Sequence, residues 1–330
     1  MKRIAYDVLV VGSGVAALTT ALYCASVKLN PLLVQLPRSK KRSVLLSLHP
    51  GLESIFAMIQ MSREISSVAK KRPAGFWRKD GPIIEYINYS DNENESWNGY
   101  LINENSLVSI LKAKVEFLQI HTIETERIED VIINGKKLVG LKFNSKANYA
   151  PLIIDASGDR NVLSKYLDLK YLYGSPRLVA QYVELETFEE SDPIFEWLEH
   201  GWRWSGGATL QCKMQLELDL FKTTVNDHIS QRCDVTWRYL PCCAGDGYFV
   251  VGDAALRLDP ASGNGILRSM ATAIKAVHCH ITSEHYTIYR NLISQWIAYD
   301  SDQLAKMYFE RHQDIPWLAQ RQWRECPIAY

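Results

Sequence analysis

The sequence predicts an α/β fold built on a parallel sheet, and three features indicate it. An apolar strand at residues 7–11 stops at a glycine-rich loop, residues 12–14. Residues 5–35 then read strand, helix, strand, and a crossover helix of this kind joins parallel neighbours. A second apolar strand, residues 248–251, stops at Gly252 in the last third of the chain.

The remaining elements follow from the period of the apolar residues. A two-residue period with an Asn134-Gly135 turn predicts a meander of hairpins over residues 125–143, and the aromatic stretch 178–240 predicts a second sheet. Further predicted elements are helix 16–25, strand 31–35, helix 52–69, helix 107–115, strand 152–155, helix 264–282 and helix 286–323.

The composition describes an ordinary globular protein and argues against several classes of function. With 47% hydrophobic and 22% charged residues, the 330-residue chain can bury a large core. A formal net charge of +0 gives no electrostatic basis for binding nucleic acid or an anionic membrane. No apolar run reaches the ~18 residues of a bilayer span, and the first strand begins too early for a secretion signal. Seven cysteines without a CxxC pair predict neither a disulfide framework nor a zinc site, so we expect a cytoplasmic protein without a metal.

The first glycine-rich loop has the spacing of a dinucleotide-binding turn. Gly12 permits a tight turn, Gly14 lets a pyrophosphate approach the backbone, and Ala17 is small enough for the helix to pack on the strand. Ala16 belongs to the same turn and is assigned with it. The helix start offers N–H groups and a partial positive charge to the phosphates. The alternative is a turn with a structural role alone.

Two residues near the end of the second strand are candidates for contacts with the rest of the nucleotide. Gln35 stands 23 residues after Gly12, where dinucleotide-binding folds usually carry a ribose-binding acid. An amide accepts a hydrogen bond more weakly than a carboxylate, so Gln35 is either a weak ribose ligand or a solvated strand end. Arg38, in the basic loop 38–43, is the second candidate.

The second turn leads into a run of the form DPxxGxG that opens a helix. Asp253 is a candidate ligand or the N-cap of the next turn, and residues 263–265 form either a ligand-facing helix start or a plain loop. The strand 152–155 ends in a similar way, at a cofactor-binding segment or at a simple strand-ending turn. The residues assigned to cofactor binding here are Asp155, Gly158, Gly252, Asp253, Pro260, Gly263, Asn264, Gly265 and Ile266.

Together these segments resemble the flavin-dependent monooxygenase superfamily, which is built like the aromatic hydroxylases. Within it, the chain is most similar to the branch of tryptophan halogenases and of flavoproteins that modify tryptophan in quinone-cofactor enzymes. The resemblance covers nearly the whole chain and rests on the N-terminal fingerprint, residues 153–160 and residues 252–265. It implies FAD, with Asp253 on the ribityl chain, the segment after residue 155 near the pyrophosphate, and the DPxxGxG helix start under the flavin ring. N–H groups there would stabilise the negative charge of reduced flavin.

The resemblance also implies a Rossmann-like FAD-binding domain interleaved with a β-sheet substrate domain, as in the aromatic hydroxylases. We divide the chain into FAD-binding segments 1–75, 99–170 and 241–285, substrate-domain segments 76–98 and 171–240, and C-terminal helices 286–330.

A pair of tryptophans stands among the candidates for the substrate side. Trp202 and Trp204 resemble the Trp-x-Trp signature of the halogenases and face the same side of a strand by alternation. They either form the wall of an aromatic pocket near the flavin or belong to the core. Ser205-Gly206 stands where halogenases have Ile-Pro, which argues against chlorination.

The resemblance also draws attention to three charged or polar residues near the same predicted site. Lys79, in a Lys-x-Gly context, is the candidate for the lysine that halogenases need beside the flavin, or else a solvated loop lysine. His49, before Pro50-Gly51, is an active-site polar group or the cap of the next helix. Glu104 stands where family members usually have an arginine, which predicts a low affinity for the cofactor.

We therefore predict an FAD-dependent monooxygenase that hydroxylates an aromatic, indole-like substrate, free or peptide-bound, with O2 and through a flavin C4a-hydroperoxide. The reactivity resides in the cofactor, and the protein keeps the site dry and holds the ring. The sequence has no second fingerprint for NADPH, so the flavin is reduced by visiting NAD(P)H or, as we favour, by a partner flavin reductase. The alternatives are a flavin-dependent halogenase and, given Gln35 and Glu104, a flavin-binding maturation partner without oxygenase turnover.

Overall fold

The structure is a computed structural model and describes residues 5–37, 45–90, 97–185, 192–199, 201–206, 213–219, 231–311, 316–319 and 322–326. Arg38 and the rest of the basic loop 38–43 lie outside the described residues.

The described residues form strands that belong to five sheets. The strands are β1 (Val8–Val11), β2 (Pro31–Gln35), β3 (Leu45–Leu48), β4 (Gly75–Asp80), β5 (Ile83–Asn88), β6 (Tyr100–Asn103), β7 (Thr122–Glu124), β8 (Asp130–Asn134), β9 (Lys137–Phe143), β10 (Lys146–Tyr149), β11 (Leu152–Asp155), β12 (Leu172–Tyr173), β13 (Val179–Leu185), β14 (Ile194–Leu198), β15 (Gly201–Gly206), β16 (Lys213–Asp219), β17 (Gln231–Asp234), β18 (Arg238–Tyr239), β19 (Ala244–Gly245), β20 (Tyr248–Val250) and β21 (Leu256–Arg257). The helices are α1 (Val15–Ser26), α2 (Leu52–Met58), α3 (Ser62–Val68), α4 (Glu104–Phe117), α5 (Val162–Tyr166), α6 (Gly265–Ile281), α7 (Tyr286–Phe309) and α8 (Pro316–Ala319).

The main sheet has the strand order β19-β20-β11-β1-β2-β7, and all neighbours from β20 to β7 are parallel. Strands β1 and β11 are buried along their whole length and apolar except for Asp155 at the end of β11, as expected for strands covered on both faces. The register sets Val11 beside both Val34 and Asp155, so the turns after β1, β2 and β11 meet at one edge. Ligands bind at this edge in open parallel sheets.

A second sheet of seven strands, in the order β17-β13-β16-β15-β14-β4-β5, is antiparallel except where β14 pairs with β4. Both the predicted α/β class with a parallel sheet and the predicted second sheet are confirmed. Smaller sheets are the meander β10-β9-β8, the group β12-β18-β21 and the pair β3-β6. The division of the chain into FAD-binding and substrate domains stays a prediction.

Three elements differ from the sequence prediction. The helix expected at residues 52–69 is two helices, because Gln60 between them adopts a left-handed conformation with φ 56°. Residues 125–128 are no strand: the side chain of Thr125 donates to the carbonyl of Arg127 and to Asn144, and the preceding residues join the main sheet as β7. The long C-terminal helix ends at Phe309.

Within the described part of the chain, no helix has both the length and the apolar character that crossing a bilayer requires.

Candidate cofactor and substrate cavity

A cavity of about 1030 Å³ opens at the carboxyl edge of the main sheet and extends to the second sheet. This volume is at the upper end of the ~300–1,000 Å³ typical of small-molecule sites. Its walls come from the turns after β1, β11 and β20, the start of α6, strands β4, β14 and β15, and the end of α7. The predicted site residues that line it are Gly14, Ala16, His49, Gly158, Trp202, Trp204, Asp253, Pro260, Gly263, Asn264, Gly265 and Ile266.

Two helices begin at this cavity, and neither start is occupied by a side-chain cap. Gly14 is the N-cap of α1 and Gly265 is the first residue of α6; neither first turn contains an acidic residue. A Cβ atom built on either glycine would meet no atom within 4 Å. Both helix starts therefore have room for a ligand beside N–H groups that no side chain caps, and such N–H groups favour an anionic group.

Three small residues of the two predicted turns, Gly12, Ala17 and Gly252, do not line the cavity and lie behind its wall. Gly12 has φ 140°, and a Cβ there would lie 2.3 Å from the carbonyl oxygen of Ala156. Ala17 is fully buried against the same turn. Gly252 donates its N–H to Thr272 at 2.9 Å. These small residues set the backbone of the cavity and contribute no lining side chain.

Asp253 lines the cavity as part of a network of charges. Its carboxylate accepts from Arg257 at 2.9 Å, and the same guanidinium reaches Asp159 at 2.5 Å and the carbonyl of Asp234 at 3.0 Å. Arg257 itself is only 7% exposed. The buried cation holds the Asp253 carboxylate in place, with about half of that side chain open to solvent. Such an oriented acceptor suits a hydroxyl-bearing ligand.

Asp155 and Gln35 are set back from the cavity. Asp155 is fully buried, and its two oxygens accept from the N–H groups of Ser157 at 2.9 Å and Leu163 at 2.7 Å. Burial raises the pKa of this carboxyl group, while these hydrogen bonds oppose the rise. Asp155 therefore shapes the turn that brings Gly158 to the cavity. Gln35 ends β2, where its carbonyl accepts from the N–H of Thr125.

An aromatic wall closes the side of the cavity formed by the second sheet. Trp202 and Trp204 both line it, as strand alternation predicts, together with Phe195 and Trp197 of β14. Trp202 is 1% exposed and stacks on Phe195 at a centroid distance of 5.7 Å. Trp202 therefore belongs to the core and also lines the cavity, whereas Trp204 is half-buried there. A role of the pair in an aromatic pocket beside a flavin stays a prediction.

His49 lines the cavity just before α2, whose first turn has no side-chain cap, and its role as an active-site polar group stays a prediction. Its Nδ1 accepts the N–H of Gly51 at 3.0 Å, just before α2 begins, and its ring also lines the cavity. This hydrogen bond assigns the proton of the neutral ring to Nε2. Burial lowers the pKa of His49, so the ring is neutral near pH 7. Trp97 packs edge-on against it at 5.2 Å.

The structure does not bring Lys79 to the cavity. On β4, the alternating residues Phe76, Arg78 and Asp80 line it, so the side chain of Lys79 points to the opposite face. Its Nζ lies 3.7 Å from Glu196 on the neighbouring strand. The cation that this strand presents to the cavity is Arg78, which pairs with Glu85.

Several lining residues carried no sequence signal. Asp80 pairs with Arg311, two residues after the end of α7, and this contact joins β4 to the end of that helix at the cavity rim. Arg268, in the first turn of α6, is 6% exposed and binds Ser262 at 2.8 Å and Asp300 at 2.5 Å. Such contacts depend on tertiary packing, which no local pattern records. Glu104, by contrast, was noted in the sequence and does line the cavity.

Solved structures with the same architecture include proteins described by their flavin chemistry. A flavin-dependent brominase aligns with a TM-score of 0.77 at 17% identity, covering 96% of this chain and 92% of that chain. A tryptophan halogenase from Shewanella frigidimarina gives 0.78 at 14% identity, covering 97% and 80%. The chain has the fold of the flavin-dependent halogenases. A flavoprotein/dehydrogenase from Cytophaga hutchinsonii gives 0.76 at 15% identity, covering 96% and 86%.

These likenesses confirm the predicted resemblance at the level of the fold. No family model matches the chain, and no curated protein matches it in sequence. The cavity combines two uncapped helix starts, an oriented carboxylate and an aromatic wall, which are groups that an extended dinucleotide could use.

Proposed function

We propose that the chain binds FAD in this cavity and is a flavin-dependent enzyme that halogenates an aromatic substrate. The observation that carries the proposal is the convergence of Gly14, Asp253 and Gly265 on one cavity, although they stand far apart in the sequence. Each offers a contact that a different part of FAD requires.

The contacts follow the polarity of the cofactor. The pyrophosphate would lie at the start of α1, where Gly14 leaves room for close approach of the phosphates to the backbone. Asp253, held by Arg257, would accept from the ribityl hydroxyls. The start of α6 would face the anionic edge of the reduced ring, because its N–H groups are uncapped.

The substrate side follows from the aromatic wall. Trp202, Trp204 and Phe195 present apolar faces on which an electron-rich ring packs. Reduced FAD, when bound, supplies two electrons that activate O2. The chain's own residues position the substrate ring and exclude water. Both effects favour reaction of the substrate ring with the activated oxidant over loss of that oxidant to water.

Halogenation is proposed first because solved structures that share the fold are described as a brominase and as tryptophan halogenases. Hydroxylation of the aromatic ring is the second candidate. Two observations favour it: Ser205-Gly206 replaces the Ile-Pro of the halogenases, and Lys79 faces away from the cavity. In both reactions O2 is a substrate, and we propose a separate flavin reductase as the source of reduced flavin.

The proposal is tested in two stages. Quenching of flavin fluorescence on titration of the purified chain measures FAD binding, and a chain that binds neither oxidised nor reduced FAD would refute the proposal. A second assay supplies FADH2, O2, indole and bromide, with mass spectrometry of the products. Bromoindole supports halogenation and an oxygenated indole supports hydroxylation. FAD binding without either product favours the flavin-binding maturation partner.

A further inference from the structure

A buried hydroxyl links the aromatic wall to the loop that precedes α6. The indole Nε1–H of Trp202 donates to Tyr308 Oη at 2.8 Å, and the Tyr308 hydroxyl donates to Asp259 Oδ2. Trp202 is 1% exposed, and both Tyr308 and Asp259 are 0% exposed. The three groups come from β15, α7 and the loop after β21, which the chain brings together in the core.

The ring of Tyr308 has little freedom to move. Trp237 stacks on it with a centroid distance of 6.2 Å and an interplanar angle of 27°, and Trp197 packs edge-on at 6.0 Å. Trp197 also lines the cavity. The packing therefore fixes the hydroxyl at one position between its donor and its acceptor.

Each end of this link belongs to a different part of the cavity. Trp202 forms the wall against which the aromatic substrate is proposed to pack. Asp259 Oδ1 accepts from the N–H of Ala261 at 2.8 Å and so caps the turn Pro260–Ser262. That turn leads directly into Gly263 and the uncapped start of α6. The cofactor side and the substrate side thus share one hydroxyl.

We propose that Tyr308 is a positioning residue that couples the aromatic wall to the cofactor-binding loop, so that FAD changes the affinity of the site for an aromatic ligand. Displacement of either Trp202 or Asp259 alone would leave a buried polar group without its partner, which is costly. The two ends therefore move together. This inference rests on the proposed binding of FAD.

The same helix offers a matched control. Tyr289 is also 0% exposed and its hydroxyl donates to the carbonyl of Val250 at 2.8 Å, which lies in the main sheet. Tyr289→Phe and Tyr308→Phe each remove one buried hydroxyl and keep the ring, but only the second breaks the link between the two sides of the cavity.

The experiment measures the dissociation constant of indole, as a probe, in the absence and presence of saturating FAD. The ratio of interest is the factor by which saturating FAD changes the dissociation constant of indole. We expect this ratio to be about five or more for the wild-type chain and for Tyr289→Phe, and below about two for Tyr308→Phe. The reciprocal titration, FAD with and without indole, must give the same ratio. Near-ultraviolet circular dichroism checks that each variant is folded.

The outcomes separate the two proposals. If the wild-type chain does not bind FAD, the proposed function fails and the coupling fails with it. If FAD binds and Tyr308→Phe keeps the wild-type ratio, or the wild type shows no ratio above about two, the coupling alone is overturned. Should Tyr308→Phe not fold, Asp259→Asn tests the other end of the link and is expected to lower the ratio in the same way.

Discussion

A Cβ atom built on Gly252 would lie 3.0 Å from the Cβ of Ala16, so the turn after β20 packs directly on the first turn of α1. The next nearest group is Ser269 Oγ of α6, at 3.4 Å. Gly252 also has φ 60°, which side chains rarely adopt. This contact brings the two glycine motifs of the sequence to one cavity.

We expect Gly252→Ala to destabilise the fold by about 1–3 kcal/mol, from the left-handed backbone and the crowding against Ala16. Urea unfolding measures the loss. Gly265→Ala is the control, because its Cβ would meet no atom within 4 Å and its φ lies outside the left-handed region. The free energy of unfolding should stay within about 0.5 kcal/mol there. Equal losses of unfolding free energy in Gly252→Ala and Gly265→Ala would contradict the close packing of Gly252 on Ala16.

The two glycines of the first turn should respond to substitution in opposite ways. A methyl group on Gly12 would lie 2.3 Å from the carbonyl oxygen of Ala156, so Gly12→Ala is expected to cost about 3 kcal/mol or more of stability. Gly14→Ala has open space and an extended backbone, with φ −94°, so the melting temperature should hardly change. We expect Gly14→Ala to weaken FAD binding about tenfold or more, because the methyl group projects where the phosphates approach.

Both quantities are measured on the same samples, by thermal unfolding and by fluorescence titration with FAD. The interpretation of this turn as a phosphate site would be refuted if Gly14→Ala bound FAD with the wild-type affinity. A loss of stability in Gly14→Ala as large as in Gly12→Ala would instead show that both glycines have only a structural role.

The sequence predicted the parallel sheet and both glycine turns because these features are local. The strand of residues 31–35 was predicted with its observed bounds, since five apolar or neutral residues follow a short turn. The positions of Gly14 and Gly265 at helix starts also followed from the chain itself. Features that depend on local backbone requirements can therefore be predicted from a single sequence.

The rest of the site depends on contacts between distant segments. Nothing near Tyr308 in the sequence signals that its hydroxyl joins Trp202 to Asp259. The pairing of Arg257 with both Asp253 and Asp159 is equally a product of the fold. Lys79 was proposed from its spacing to a glycine, but its orientation is set by the alternation of β4, in which its neighbours face the cavity.

Lys79 provides a further prediction. Its side chain is 40% exposed and pairs at 3.7 Å with Glu196, away from the cavity. We expect Lys79→Ala to change FAD affinity and product yield by less than about twofold, because an exposed ion pair contributes little. Product yield with FADH2, O2, indole and bromide measures the effect. A loss of bromoindole of about a hundredfold with an unchanged fold would show that Lys79 reaches the reacting atoms.

The last prediction concerns the buried carboxyl group of Asp259. Burial raises its pKa from 3.8 to about 6, although hydrogen bonds from Tyr308, Ala261 and Trp202 act in the opposite direction. In the folded chain the group therefore binds a proton more tightly than in the unfolded chain. Its contribution to stability is fully present below about pH 4 and is lost as the pH rises through about 6.

Asp259→Asn removes this titration while keeping an oxygen acceptor for the N–H of Ala261. We expect the wild-type chain to lose stability relative to this variant between about pH 4 and pH 7, by about 2–3 kcal/mol. Urea unfolding of both chains across that range gives the difference, in which the titration of other groups largely cancels. A difference that is constant with pH, or that grows in favour of the wild type as the pH rises, would show that the carboxyl group of Asp259 is not buried as the structure places it.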